Sequence, residues 1–167
     1  MEAIVILGLV TAQRLGELVL SNHNTTRLLS AGAREVAPGH YQYMVALHVF
    51  WLAGLWWLAP GKPVNLALLV VYLLLQGLRA WVLASLGRRW TTRIIVVPRA
   101  SLVRRGPYRF LSHPNYVVVA GEIAVLPLMF GLVWYAVAFS VLNAIVLYVR
   151  IRAENAALGI GADRVPA

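Results

Sequence analysis

Cysteine is absent from this chain, and a whole group of chemistries goes with it. No disulfide, Cys-ligated zinc site, iron–sulfur cluster or thiol nucleophile can be built. Acids are scarce too: only six Asp and Glu occur in 167 residues, and they form no acidic metal cluster. The sequence contains no G-x-G-x-x-G after a strand pattern, no Walker lysine loop and no H-E-x-x-H. A Rossmann enzyme and a metalloenzyme are both disfavoured. The first residues, MEAIVILGLV, lack a basic stretch, and Arg14 and Glu17 interrupt the apolar run, so residues 1–21 read as a retained span and not a cleaved signal.

What the chain has in excess is apolar surface. Sixty per cent of its residues are hydrophobic and 13% are charged, at a mean hydropathy of +0.73. A helical span needs about 20 apolar residues, so the length accommodates four or five spans and no separate soluble domain. The expected fold is an all-α polytopic membrane protein forming one domain over 1–167. Spans are predicted at 2–21, 40–59, 63–86, 116–131 and 132–154. Pro63 suits a first helical turn, and Gly87 ends the third span before Arg88. The fourth span is short, with Pro127 and Gly131 near its end, and is expected to form a hairpin with the fifth or to be re-entrant.

Charge orients these spans. The net charge of +9 would point to nucleic acid in a soluble protein, but here it marks a cytoplasmic face. Residues 87–115 carry Arg88, Arg89, Arg93, Arg99, Arg104, Arg105 and Arg109. Placing this Arg-rich connecting segment in the cytoplasm puts the N-terminus outside and the C-terminus inside. Arg27, Arg34, Arg150, Arg152 and Arg164 then also fall inside, Arg14 and Arg79 lie in the cytoplasmic halves of their spans, and only Lys62 is outside. Trp56, Trp57 and Trp134 fall at the outer boundary, Trp81 and Trp90 at the inner one, mostly as interfacial belt residues.

Polar groups collect at the cytoplasmic ends. In GPYRFLSHPNY, residues 106–116, His113-Pro114-Asn115-Tyr116 opens the fourth helix, whose free N–H groups suit an anion; the plain alternative is a capped helix with an interfacial tyrosine. Arg150 and Glu154 in YVRIRAENAAL share a helix face at i, i+4. They could hold the carboxylate and ammonium of an amino-acid-like ligand, or form a surface ion pair. Glu122 lies at membrane depth, where an ionisable residue is either functional or a partner for Arg79. Arg14 and Glu17 read as a structural pair. His40 and Tyr41 open the second span and His48 lies further in, where a satisfied histidine is the common case.

The stretch LGRRWTTRIIVVPRASLVRRGPYRFLSHPNY, followed by RIRAEN, resembles the isoprenylcysteine carboxyl methyltransferase family of integral-membrane enzymes over roughly residues 77–158. The N-terminal RLGELVLSNHNTTRLLSAGAREVAPGHYQYMVALH is similar to a smaller bacterial branch. Some members of that branch accompany type III polyketide synthases and methylate long-chain alkylpyrones or alkylresorcinols. The resemblance implies methyl transfer from S-adenosyl-L-methionine, bound through about 87–158, to a lipophilic acceptor from the bilayer at the cytoplasmic face of a bacterial inner membrane. Tyr108, His113, Pro114, Asn115, Tyr116 and Gly121 would border the cofactor. Arg150 and Glu154 would be catalytic, with Glu154 also on the cofactor, and Arg79, Trp81 and His40 would meet the acceptor. Ser112 stands where the family has arginine and Asn155 where it has a second acid, and the tail after Leu158 is short, so closure falls to 87–112. A phenol acceptor would need its proton removed, by Glu154, His113 or His40; a carboxylate or acidic enol would need only positioning. Other readings are a phospholipid N-methyltransferase, a membrane reductase and a non-catalytic membrane partner protein.

Overall fold

A computed structural model describes residues 1–98, 100–101 and 103–158, apart from the side chains of His40 and Leu158. Arg99 and Arg164, two of the arginines used to orient the chain, lie outside the described residues. Five α-helices make up the body: α1 (Glu2–Ser30), α2 (Gly39–Leu58), α3 (Leu66–Leu86), α4 (Pro114–Met129) and α5 (Val133–Leu158). The Arg-rich segment carries two 3-10 turns, Gly87–Arg89 and Gly106–Arg109. The expectation of purely helical structure misses one small feature. Strands β1 (Arg34–Glu35) and β2 (Ile95–Val96) pair antiparallel, and Arg93 Nη1 lies 2.9 Å from Glu35 Oε1 beside them. This ladder pins the α1–α2 connection onto the Arg-rich segment.

Where five spans are expected, three helices among the described residues are long and apolar enough to cross a bilayer: Glu2–Ser30, Leu66–Arg89 and Val133–Ala157. Helix α2 is 20 residues long but dilutes its apolarity with Tyr41, Gln42, Tyr43 and His48. Helix α4 has 16 residues, which at 1.5 Å each is about 24 Å against a core of about 30 Å. Large side chains face outward on the long helices, Leu9 at 68% and Leu74 at 70% exposed, as lipid contact requires. The protein is an integral membrane protein.

Local chemistry sets the helix ends. Asn65 caps α3, its Oδ1 accepting from Leu68 N–H at 3.2 Å, and Gly87 ends it at φ +52°. Pro114 starts α4. A three-residue turn with Gly131 at φ +71° leads into α5, which packs back on α4 as the expected hairpin. Helix α1 runs nine residues beyond the predicted end at 21. Its polar continuation is helical because its inner face is satisfied: Thr92 N–H donates to Ser21 Oγ at 2.8 Å, Asn24 Nδ2 to Trp90 O at 2.8 Å, and Arg27 Nη2 to Arg88 O at 3.0 Å. Arg14 consequently sits near the middle of α1.

The core gathers Leu7, Trp51, Leu55, Tyr72, Ile123, Leu126 and Phe130 from α1 to α4 and the turn after it. Next to it lies a charge-balanced network. Arg79 Nε donates to Glu122 Oε1 at 2.8 Å and its Nη1 to Glu17 Oε2 at 2.8 Å, while its Nη2 pairs with Glu122 Oε2. Arg14 reaches Glu122 at 2.6 Å and Glu17 at 3.2 Å, and Gln13 and Gln76 complete the set. Glu122 is fully buried. Of its two readings, the structure takes the partner for Arg79.

Candidate functional site

The Arg-rich segment folds over the start of α4 and the end of α5 and encloses a cavity of about 410 Å³. Ligand sites of small molecules run from about 300 Å³ upward. Trp90, Arg104, Tyr108, Ser112, His113, Asn115, Tyr116, Arg150 and Glu154 line it. A second cavity of about 200 Å³, mostly apolar, lies between α1 and α2. Trp90, Asn115, Tyr116 and Arg150 belong to the walls of both.

At that common wall Arg150, with its i, i+4 neighbour Glu154 on the larger cavity, does not form a closed pair. The Tyr116 hydroxyl stands between them, accepting from Arg150 Nε at 2.8 Å and donating to Glu154 Oε2. His113 extends the chain. Its Nδ1 lies 3.6 Å from Glu154 Oε2, its Nε2 donates to Asn155 Oδ1 at 2.8 Å, and its ring stacks on Tyr116 with centroids 5.2 Å apart. The first turn of α4 and the last turns of α5 are thus held together by five side chains.

Arg150 is 6% exposed, and its other hydrogen bonds go to the Thr92 carbonyl at 2.6 Å and Met44 Sδ at 3.4 Å. Among the described residues no carboxylate lies within ion-pair distance of it. A buried guanidinium in that state is suited to an anion. Among the described residues two further groups in the common wall are buried with no hydrogen-bond partner: the acceptor Asn115 Oδ1 and the donor Trp90 Nε1. Buried polar groups are nearly always satisfied, so these two orphan atoms beside the Arg150 guanidinium set this wall apart from ordinary core packing. Burial, and secondly the Glu154 carboxylate, raise the Tyr108 phenol well above its ordinary pKa, so it stays a proton donor. Carboxylate, ammonium, hydroxyl and aromatic surface can all be met here, which fits S-adenosylmethionine.

The sequence-predicted residues fall in several places. Tyr108, His113, Asn115, Tyr116, Arg150 and Glu154 come together on the larger cavity, and Pro114 is buried directly beneath, starting α4. Gly121 is on neither cavity; a Cβ there would meet the Leu75 side chain at 2.9 Å, so it serves the close approach of α3 and α4. Arg79 borders the smaller cavity with its guanidinium committed to Glu17 and Glu122. Trp81 is half exposed on α3, lines neither cavity, and has its indole beside Gly106. His40 falls in the first turn of α2, its side chain outside the described residues. Trp90 is a correction: read as an interfacial belt residue, it is 2% exposed, because the Asn24 bond to its carbonyl draws it inward. Asn155, Thr92, Met44 and His48 were not singled out as site residues. Asn155 was visible only as a departure from an acidic pattern, and it accepts the His113 proton that an acid there would accept.

Comparison with known proteins agrees with this geometry. Residues 67–160 match the isoprenylcysteine carboxyl methyltransferase (ICMT) family. The chain is 35% identical over 166 residues to the uncharacterized protein YpbQ of Bacillus subtilis (strain 168), covering 92% of this chain and 94% of that one. No solved structure matches. The match spans the Arg-rich segment, the start of α4 and the Arg150–Glu154 turn together, and on it the chain belongs to the ICMT family, whose enzymes are S-adenosylmethionine-dependent membrane methyltransferases.

Proposed function

We propose that this protein methylates an oxygen of a lipophilic acceptor drawn from the bilayer, with S-adenosylmethionine held in the larger cavity from the cytoplasmic side. The favoured acceptors are long-chain alkylpyrones or alkylresorcinols, with a prenylcysteine-type carboxylate as the other member of the class. One observation carries the reading: Tyr116 and Arg150 border both the larger cavity and the mostly apolar smaller one, and the Tyr116 hydroxyl joins Arg150 to Glu154 on the larger. That is where a charged cofactor and a greasy acceptor can meet.

The bound cofactor supplies a methyl group activated by a sulfonium charge. The chain's own residues hold and align. Arg150 offers its guanidinium to a carboxylate or to the oxyanion that develops on the acceptor. Glu154 and the Asn115 Oδ1 accept from an ammonium, and Tyr108 donates from its protonated hydroxyl. His113, fixed by Asn155, keeps Glu154 in place. Alignment in a site screened from water contributes most of the catalysis of an in-line displacement. Glu154 and His113 are the candidate proton acceptors for a phenol; an acidic enol requires neither.

The test is binding and turnover on the purified full chain. S-adenosylhomocysteine should raise its melting temperature, since a ligand of the folded state stabilises it, and NADPH should not. Glu154→Gln and Arg150→Ala should each lose methyl transfer to alkylresorcinol while remaining folded. Normal turnover in both variants would refute the assignment.

A further inference from the structure

A serine inside a helix commonly turns its hydroxyl back to a carbonyl of the preceding turn. Ser85 does so, donating to Trp81 O at 2.7 Å, and Ser30 donates to Arg27 O at 2.9 Å. Ser21 does not. It is fully buried, lines neither cavity, and reaches across 71 positions of sequence to Thr92. The Thr92 N–H donates to Ser21 Oγ at 2.8 Å, and the two hydroxyl oxygens are 2.7 Å apart. One proton assignment satisfies the set: Ser21 gives its proton to Thr92 Oγ1, which gives its own to the Tyr41 hydroxyl at 3.4 Å.

The Thr92 carbonyl accepts from Arg150 Nη2 at 2.6 Å. Thr92 lies in a bend of the Arg-rich segment, with no helix or strand of its own to fix it. The N–H and C=O of one residue flank a single Cα, so whatever holds the Thr92 amide also aims its carbonyl. We propose that Ser21 is a positioning residue for Arg150, acting through Thr92 to fix the guanidinium plane. The inference rests on the methyl-transfer reading above, with Arg150 facing the oxygen that becomes charged. Three of the five guanidinium N–H groups are used, by Tyr116, Met44 and Thr92, and two remain for a ligand. Bonds at three different nitrogens set the direction in which those two point. Tyr116 and Met44 stand on α4 and α2, so the Thr92 bond is the one made to irregular backbone and the one that requires outside support. Ser21 supplies it from α1, which lies outside the stretch 67–160 that matches the family. Without that hydroxyl the Thr92 N–H loses its acceptor, and the bend turns to find another.

The experiment uses the full chain in detergent micelles, with isotope-labelled arginine and with S-adenosylmethionine and pentadecylresorcinol as the probe. Ser21→Ala removes the hydroxyl, and Ser21→Cys keeps its bulk with a far weaker donor and acceptor. Arg27→Ala removes another bond from α1 to the same segment, at Arg88 O and away from Thr92. Well below each melting temperature, both Ser21 variants should lose about 10- to 100-fold in kcat, with KM for S-adenosylmethionine changed less than about threefold. Arg27→Ala should match the wild type. The Arg150 Nε–H resonance, identified by its loss in Arg150→Ala, should exchange with solvent about tenfold faster or more in the Ser21 variants and not in Arg27→Ala. A Ser21 that only packs the core would lower the melting temperature and leave both readings unmoved, and that result overturns the proposal. If Ser21→Ala does not fold, Ser21→Cys decides by the same two readings. A wild type that leaves pentadecylresorcinol unmethylated counts against the acceptor assigned above, and the Arg150 resonance alone then decides for or against Ser21.

Discussion

Tyr116 is the residue on which the site's geometry turns. Arg150 and Glu154 are one helical turn apart and would pair directly if nothing separated them; the phenol hydroxyl separates them and leaves each with capacity for a ligand. Tyr116→Phe removes the oxygen and keeps the ring stacked on His113, so the ion pair can collapse. Hydrogen bonds to charged groups contribute about 1.5–3 kcal/mol, and kcat/KM should fall roughly 10- to 100-fold with little change in melting temperature. Steady-state kinetics beside a thermal melt checks both halves. Tyr108 makes a different prediction. Burial and then Glu154 raise its pKa, so its proton is retained as pH rises through the range where an ordinary tyrosine begins to ionise. From about pH 7 to 9 the pH–rate profile of Tyr108→Phe should therefore run parallel to that of the wild type, lower throughout but with the same alkaline limb. A limb that vanishes in the variant would make Tyr108 the titrating group.

The ion network is the device that ties helices α1, α3 and α4 together within a lipid surround. Two arginines and two glutamates cancel, and Glu122 contacts both cations. Glu122→Gln leaves two buried guanidiniums sharing Glu17, a loss of the order that breaking a buried pair costs, about 3–5 kcal/mol. The variant should show a large fall in melting temperature or a low folded yield. Replacing all four by Met and Leu of similar volume should be far better tolerated, and a yield comparison of the two tests this. Only part of this was legible in advance. Glu122 at membrane depth and Arg14 three residues before Glu17 flagged the charges, because hydropathy makes any ion stand out. The partnering of α1 with α4 across 108 positions has no trace in local periodicity. The His-Pro-Asn-Tyr start and the Arg–Glu turn stood out by residue type and spacing, and the family resemblance supplied their expected roles. Trp90 was not, since amphipathic tryptophan suits an interface and a buried wall alike, and nothing local announces the bond from Asn24.

The short α4 explains how one membrane body makes room for the larger cavity beside the Arg-rich segment. The backbone bond from Asn65 N–H to Met129 O, 2.9 Å, levels the end of α4 with the start of α3 at one end of the molecule. Helix α4 has 16 residues and α3 has 21, so the deficit of five residues, about 7–8 Å, falls at the other end, where the Arg-rich segment lies. The 3-10 turn Gly106–Arg109 occupies that level, Gly106 against Ser85 and Arg105 Nε donating to Ser85 O at 2.9 Å, and the larger cavity opens beneath it. Arginines from the end of α1, the connecting segment and the end of α5 all gather on this side, which the positive-inside rule assigns to the cytoplasm. We propose that each helix reverses the one before, which places the N-terminus on the opposite face from the C-terminus. A fluorescent protein fused after residue 167 should therefore fold and emit from the cytoplasm, and alkaline phosphatase fused there should be inactive. Phosphatase activity at the C-terminal fusion would put the cavity on the side of the membrane where no S-adenosylmethionine is made, and would remove the cofactor from the mechanism.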